Sequence, residues 1–85
     1  MKIYWDGKSK NIIGSTVKKL RKKRGYTQKQ LAEKLQLQGH EFSDLTILRI
    51  EQGKRFVPDY EIVILANFFG ITTDMLLQND ISHNN

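Results

Sequence analysis

The spacing of apolar residues predicts a chain made of helices. Ile13, Val17 and Leu20 recur at intervals of four and three residues in a lysine-rich segment, which predicts one apolar helix side over about residues 11–24. A later segment fills all four positions of the i, i+3, i+4, i+7 pattern with Ile62, Leu65, Ala66 and Phe69. No segment of useful length alternates apolar and polar residues as a strand would. The predicted fold class is therefore all-α, a compact five-helix bundle.

Capping residues and glycines predict where the helices begin and end. Helix 2 is expected to start after Thr27, because Thr27 and Gln30 have the spacing of a capping box, and to extend towards Gly39. The other helices are expected to run from Ser43 to Gly53, from Pro58 to Gly70, and for a short stretch after Thr72 or Thr73. Residues 11–78 thus form one domain, preceded by an arm, residues 1–10, and followed by a polar tail, residues 79–85. Gly14, inside helix 1, is expected to weaken that helix.

The charge is divided unevenly along the chain. Residues 1–34 carry eleven Lys and Arg against two acids, a net +9, whereas residues 35–85 carry three against seven, a net −4. A basic lobe of this kind favours a polyanionic partner, with nucleic acid first and an anionic membrane surface second. A solvated lysine-rich helix face would give the same composition, so charge alone leaves both interpretations open.

Composition argues against several other classes of function. The 85 residues include no cysteine, which excludes disulfides and thiolate zinc sites, and no apolar run approaches the roughly 20 residues of a membrane helix. His40 and His83 are the only histidines, and no paired carboxylates suggest acid–base catalysis. We therefore expect a cytoplasmic protein that is not an enzyme, with no catalytic residues, metal, cofactor, small-molecule substrate or membrane partner.

An ordered set of motifs resembles the helix-turn-helix of the phage-repressor and Cro-like (XRE) family. The motifs are Thr27-Gln-Lys-Gln-Leu-Ala, the segment Ile50-Glu-Gln-Gly-Lys-Arg that leaves helix 3, and a fourth helix opened by Pro58. The similarity covers about residues 12–78. It implies a lambda repressor-like DNA-binding domain of prokaryotic or phage type, acting on double-stranded DNA as a transcriptional regulator, with repression the expected sign.

The resemblance implies that helix 3 lies in the major groove. Ile47 and Ile50 define its inward side, so Leu45, Leu48 and Arg49 should turn outward. The base-reading residues implied by position are Asp44, Leu45, Leu48 and Arg49. Arg49 has the bidentate geometry that recognises guanine O6 and N7, Leu45 could contact a thymine methyl, and Asp44 could accept from a cytosine amino group.

Phosphate contacts are expected at the helix ends that flank the reading unit. The residues implied are Thr27, Gln28, Ser43, Thr46, Lys54 and Arg55. Six such contacts would make the logarithm of the binding constant fall with the logarithm of salt concentration at a slope of about −5. Thr27 and Ser43 would cap helices whatever the function, so each of these residues also has a purely structural interpretation.

Two features depart from the family pattern. Seven residues separate Leu35 from Ser43, where about three or four are usual, so helix 2 is expected to be a turn longer, with Leu37 and Phe42 packed beneath the connection. Leu45 and Leu48 place apolar side chains where polar readers are usual. The alternative function is therefore a protein-interaction module of the same fold, such as an antitoxin or a partner-binding regulator that uses this apolar face.

The resemblance also implies a homodimer formed through the C-terminal helices. The interface residues expected on that basis are Phe68, Met75, Leu76 and Leu77. A two-fold dimer would read a near-palindromic site with half-sites about 34 Å apart. Ile3, Tyr4 and Trp5 are expected to pack over an open edge of the core, or to reach DNA or a second subunit.

Overall fold

A computed structural model describes residues 9–78 and places five helices in them. The helices are α1 (Gly14–Lys23), α2 (Gln28–Leu37), α3 (Asp44–Glu51), α4 (Asp59–Phe69) and α5 (Thr73–Gln78). No strand is present among the described residues. The predicted all-α five-helix fold is confirmed. The expectations for the arm residues Ile3, Tyr4 and Trp5 and for the tail lie outside the described residues.

The core is assembled from the inward sides of all five helices and from one connection. Its buried apolar residues are Ile13, Val17, Leu20, Leu31, Ala32, Leu35, Phe42, Ile47, Ile50, Leu65, Ala66, Phe69 and Leu76. The apolar positions that predicted the helices are thus buried, except Ile62, which is only partly buried against the core. Helix α3 packs closely against α2 and α1. This packing leaves its opposite side facing solvent.

The capping residues act as the sequence predicts. The Thr27 hydroxyl accepts from the Gln30 backbone N–H at 3.1 Å, and the Gln30 side chain accepts from the Thr27 N–H at 2.9 Å. Thr72 caps α5, since its hydroxyl accepts from the Met75 N–H. Gly70 ends α4 with a positive φ of 70°. Each of these interactions joins residues within one turn of a helix end, so the sequence alone could predict them.

Helix α1 begins at Gly14, three residues later than predicted, and its N-cap residue is Ile13. Asn11, two residues before the N-cap, uses its side chain to cap the start of the helix and is not itself helical. The Asn11 side-chain oxygen accepts from the backbone N–H groups of Ile13 and Gly14, at 3.2 and 2.8 Å. Its amide nitrogen donates to the carbonyl oxygens of Ile50 and Arg55, at 3.1 and 2.9 Å. A single side chain therefore joins the start of α1 to the end of α3 and to the loop that follows.

Replacing Asn11 with alanine is expected to lower the free energy of unfolding by about 2 kcal/mol, because a helix cap and two donors to backbone carbonyls are lost together. Equilibrium urea denaturation measures this change. Asn11→Asp is the comparison variant: it keeps the acceptor at the start of α1, whereas it replaces the donor with a carboxylate oxygen that the carbonyl oxygens of Ile50 and Arg55 repel. If Asn11→Ala stays within about 0.5 kcal/mol of the parent protein, the interhelix role of this side chain is refuted.

The connection between α2 and α3 consists of a turn at Gln38 and Gly39 followed by a tethered loop. Helix α2 ends at Leu37, two residues beyond Leu35, so the predicted extension by a full turn towards Gly39 forms only in part. Phe42 is buried, and the Gln36 side chain donates to its carbonyl oxygen at 2.6 Å. Leu37, however, is 86% exposed, so the prediction that it packs beneath the connection is wrong. Leu31 and Leu35 occupy the inward side of α2, and Leu37 falls on the opposite side of the helix.

Candidate nucleic-acid interface

The outward side of α3 carries the side chains that the sequence predicted as readers. Ile47 and Ile50 are fully buried beneath the helix, whereas Leu45 is 47% exposed and Leu48 is half-buried. Arg49 is exposed and forms no hydrogen bond or ion pair through its side chain with any described residue. Its guanidinium is therefore available to an external acceptor.

Polar groups at the start of α3 are held by the helix itself. The Ser43 hydroxyl accepts from the Thr46 N–H at 3.1 Å and lies 3.0 Å from the Thr46 hydroxyl. Asp44, in the first turn, accepts from the Leu45 N–H at 2.9 Å. A carboxylate at this end is stabilised by the helix dipole. Ser43 and Asp44 thus have local structural roles, and both stay exposed.

The N-termini of α2 and α3 share one shallow groove. It is lined by Thr27, Gln28, Lys29, Asp44, Leu45 and Leu48. Five of these residues were predicted from the sequence as readers or phosphate contacts, and Lys29 was not. Backbone N–H groups at a helix N-terminus attract anions, so the two helix starts give this groove a positive edge.

A buried ion pair connects α1 to the end of α3. The Arg21 Nε lies 2.6 Å from one carboxylate oxygen of Glu51, and Nη2 lies 3.0 Å from the other. Only 9% of the Arg21 side chain and 3% of the Glu51 side chain are exposed. The hydrogen bonding of the Arg21 guanidinium to Glu51 raises the pKa of Arg21 above its ordinary value, against the opposing effect of burial.

Gln28 belongs to the same network and does not project freely. Its side-chain amide donates to Glu51 Oε1 at 3.1 Å, while Arg21 also donates to the carbonyl oxygen of Tyr26 at 2.8 Å. The start of α2 and the end of α3 are therefore fixed relative to each other through α1. Our sequence reasoning missed this network. The spacing of Gly14, Val17 and Arg21 places Arg21 on one side of α1, but it does not identify Glu51 or Gln28 as its neighbours.

The two basic residues that follow α3 have different environments. Lys54 is exposed, and its side chain has no hydrogen-bond or ion-pair partner within residues 9–78. Arg55 forms a bidentate pair with Glu61, at 2.5 and 3.1 Å, and this hydrogen bonding raises the pKa of Arg55. The charge of Arg55 is therefore already compensated inside the chain, whereas that of Lys54 is not.

The four residues expected at a dimer interface differ in how exposed they are. Leu76 is fully buried in the core of its own chain, so it offers no surface to a partner. Met75, Leu77 and Phe68 are partly exposed. The Arg24 guanidinium lies over the Phe68 ring, with its Cζ atom 5.5 Å from the ring centroid. Arg24 also donates to the carbonyl oxygens of Phe68 and Phe69. Other exposed apolar side chains lie on α4, at Tyr60 and Val63.

Among residues 9–78, no group of three or more His, Cys, Asp or Glu side chains could hold a metal ion. In the same part of the chain, no helix has both the length and the apolar character needed to cross a bilayer.

Comparison with known families gives one match. The model of a family described as a helix-turn-helix domain matches residues 14–80, from the first residue of α1 to beyond the end of α5. No curated protein and no solved structure matches the chain. The match includes α2, α3 and the long connection between them.

Proposed function

The chain belongs to the helix-turn-helix domain family, and from this premise we propose that it binds double-stranded DNA sequence-specifically and regulates transcription as a repressor. In helix-turn-helix proteins the second helix of the motif enters the major groove, and the helix before it crosses the phosphate backbone. In this chain those helices are α3 and α2. One observation carries the proposal: Arg49 is exposed on the outward side of α3, and its guanidinium has no hydrogen-bond or ion-pair partner among residues 9–78.

The reading residues are Arg49, Leu45, Leu48 and Asp44. Arg49 donates to guanine O6 and N7, a bidentate contact that discriminates against the wrong base by about 1–3 kcal/mol. Leu45, which is the more exposed leucine, contacts a thymine methyl. Asp44 accepts from a cytosine amino group while keeping its contact with the Leu45 N–H.

Phosphates are bound by the groups that surround α3. On one side of α3, DNA phosphates are contacted by the main-chain N–H groups at the starts of α2 and α3. The side chains of Thr27, Gln28, Ser43 and Thr46 contact the same phosphates. Lys54 supplies the uncompensated charge after α3, and Arg55 reaches a phosphate only by sharing its guanidinium with Glu61. These contacts set the register of α3 in the groove and carry no sequence information.

The protein acts as a homodimer on this proposal, with Phe68, Met75 and Leu77 as its contact residues. Two-fold symmetry would place the two copies of α3 about 34 Å apart, on half-sites one helical turn from each other. The operator is then an inverted repeat.

The test is affinity selection on random duplex DNA of about 40 base pairs at physiological salt, which is long enough for two half-sites. We expect an enriched inverted repeat. Arg49→Ala should abolish the preference at one guanine, and Lys54→Ala should weaken all sequences alike. Arg49→Lys is the matched control, because it keeps the charge and removes the bidentate geometry, so it should bind with the parent salt dependence and relaxed selectivity.

A different outcome would favour the second candidate function. Leu45 and Leu48 form an apolar surface that could dock on a protein, and the 47% exposure of Leu45 is the observation in its favour. Weak, salt-sensitive binding with no enriched motif would contradict sequence-specific recognition. The search would then turn to a protein partner for the α3 surface.

A further inference from the structure

Four exposed lysines lie on α1, outside the helix-turn-helix pair. They are Lys18, Lys19, Lys22 and Lys23, and α1 contains no acidic residue. None of the four side chains has a hydrogen-bond or ion-pair partner within the described chain. Two of the pairs are spaced four residues apart, and like charges at that spacing destabilise a helix. The helix therefore keeps a repulsion that nearby anions would relieve.

The buried network fixes which side of α1 lies near the proposed DNA surface. Arg21 points from α1 to Glu51 at the end of α3, and Glu51 also accepts from Gln28 at the start of α2. Arg21 and Gln28 therefore share Glu51 as an acceptor, which puts Arg21 next to the residue that the proposed function places at the phosphate backbone. On the proposed function, the exposed residues of α1 that are nearest to Arg21 around the helix would lie closest to that strand.

The four lysines differ in their angle from Arg21 around the helix axis. With 3.6 residues per turn, Lys18 is about 60° and Lys22 about 100° from Arg21, both in the same rotational direction. Lys19 and Lys23 are each about 160° away. Val17 and Leu20 are buried on the remaining side, so α1 has no apolar surface left for a bilayer or an apolar partner.

We propose that Lys18 and Lys22 contact DNA phosphates beyond Gln28 on the same strand, extending the protein's footprint past the helix-turn-helix. This inference rests on the proposed function, since it adds contacts to the same bound duplex. Lysine suits the role because its long flexible stem carries a point charge to a phosphate without requiring a fixed geometry. The contacts add affinity and salt dependence but no sequence preference.

The experiment compares two double variants of equal charge. Lys18→Gln with Lys22→Gln changes the near side of α1, and Lys19→Gln with Lys23→Gln changes the far side. Glutamine and lysine have similar helix propensities, and all four residues are exposed, so thermal unfolding should be equal for both variants. Binding to the selected duplex is measured over a range of salt concentrations by fluorescence anisotropy.

We expect the near-side variant to make the salt slope shallower by about 1.8, which is about 0.9 for each lost phosphate contact. The far-side variant should keep the parent slope. Equal changes in the two variants would show a general effect of net charge and would overturn the proposal, as would no change in either. The salt slope of the parent protein tells failure of the proposed function from failure of this inference. A parent slope near zero contradicts DNA binding itself. A steep parent slope that the near-side variant does not change contradicts only the role of Lys18 and Lys22.

Discussion

Glu51→Ala is expected to lower the free energy of unfolding by about 3–5 kcal/mol, the typical cost of removing one partner from a buried ion pair. The Arg21 side chain is 9% exposed in the folded chain, and its guanidinium donates to both carboxylate oxygens of Glu51. Without Glu51 the Arg21 charge stays buried. Within residues 9–78, the Tyr26 carbonyl oxygen is then the one acceptor that it keeps. Urea denaturation followed by circular dichroism at 222 nm, the helix signal, measures the loss.

Two variants distinguish a buried charge from a general loss of acidity. Glu33→Ala removes an exposed carboxylate that has no ion-pair partner within residues 9–78, and it should change stability by less than about 0.5 kcal/mol. Arg21→Met combined with Glu51→Leu replaces both charges by apolar groups and should recover most of the stability lost in Glu51→Ala. A loss below about 1 kcal/mol for Glu51→Ala would mean that the pair is effectively solvated.

The Glu51 network also links stability to the proposed interface. Gln28 donates to Glu51, so Glu51→Ala frees the Gln28 side chain in addition to leaving the Arg21 charge uncompensated. Arg21→Met with Glu51→Leu is expected to restore the fold without restoring this hydrogen bond. Its affinity for DNA therefore reports the value of an oriented Gln28 separately from the value of a folded domain.

Local signals were sufficient to predict that there are five helices and where several of them begin or end. The capping box at Thr27 and Gln30 and the stop at Gly70 involve only neighbouring residues, so the sequence contains the whole interaction. The outward position of Arg49 likewise followed from the burial of Ile47 and Ile50 at helical spacing. These features depend on one helix at a time, and the structure confirms them.

Features that depend on how two helices approach each other were harder to predict. Leu37 was expected to be buried because it is apolar, but its position on α2 is set by Leu31 and Leu35, which occupy the inward side. Leu76 was assigned to a surface by resemblance and lies in the core. The Arg21–Glu51 pair joins residues 30 positions apart. Neither composition nor periodicity specifies such partners.

Gly14 shows how misleading a local argument can be at a contact between helices. Intrinsic propensity predicts that Gly14→Ala stabilises a helix by about 1 kcal/mol. In the folded chain, however, a Cβ atom at this position would lie 2.3 Å from the carbonyl oxygen of Ile50 and 3.1 Å from that of Glu51. Both obstacles are backbone atoms in α3, so no side-chain rotation can relieve them. The residue that was expected to weaken α1 is the one that allows α1 to meet α3.

Gly14→Ala is therefore expected to destabilise the domain by about 2–3 kcal/mol, the cost typical of overpacking a tight contact, and so to reverse the sign given by propensity. Thermal and urea unfolding measure the change. Ser15→Ala is the matched control: it is exposed in the same turn, and its change of propensity should raise stability by no more than about 0.5 kcal/mol. If both variants stabilise the protein, α1 and α3 are not in backbone contact. If only Gly14→Ala destabilises it, the close approach that also brings Asn11 to the Ile50 carbonyl oxygen is required for the fold, and displacement of α3 should reduce DNA affinity in the remaining folded protein.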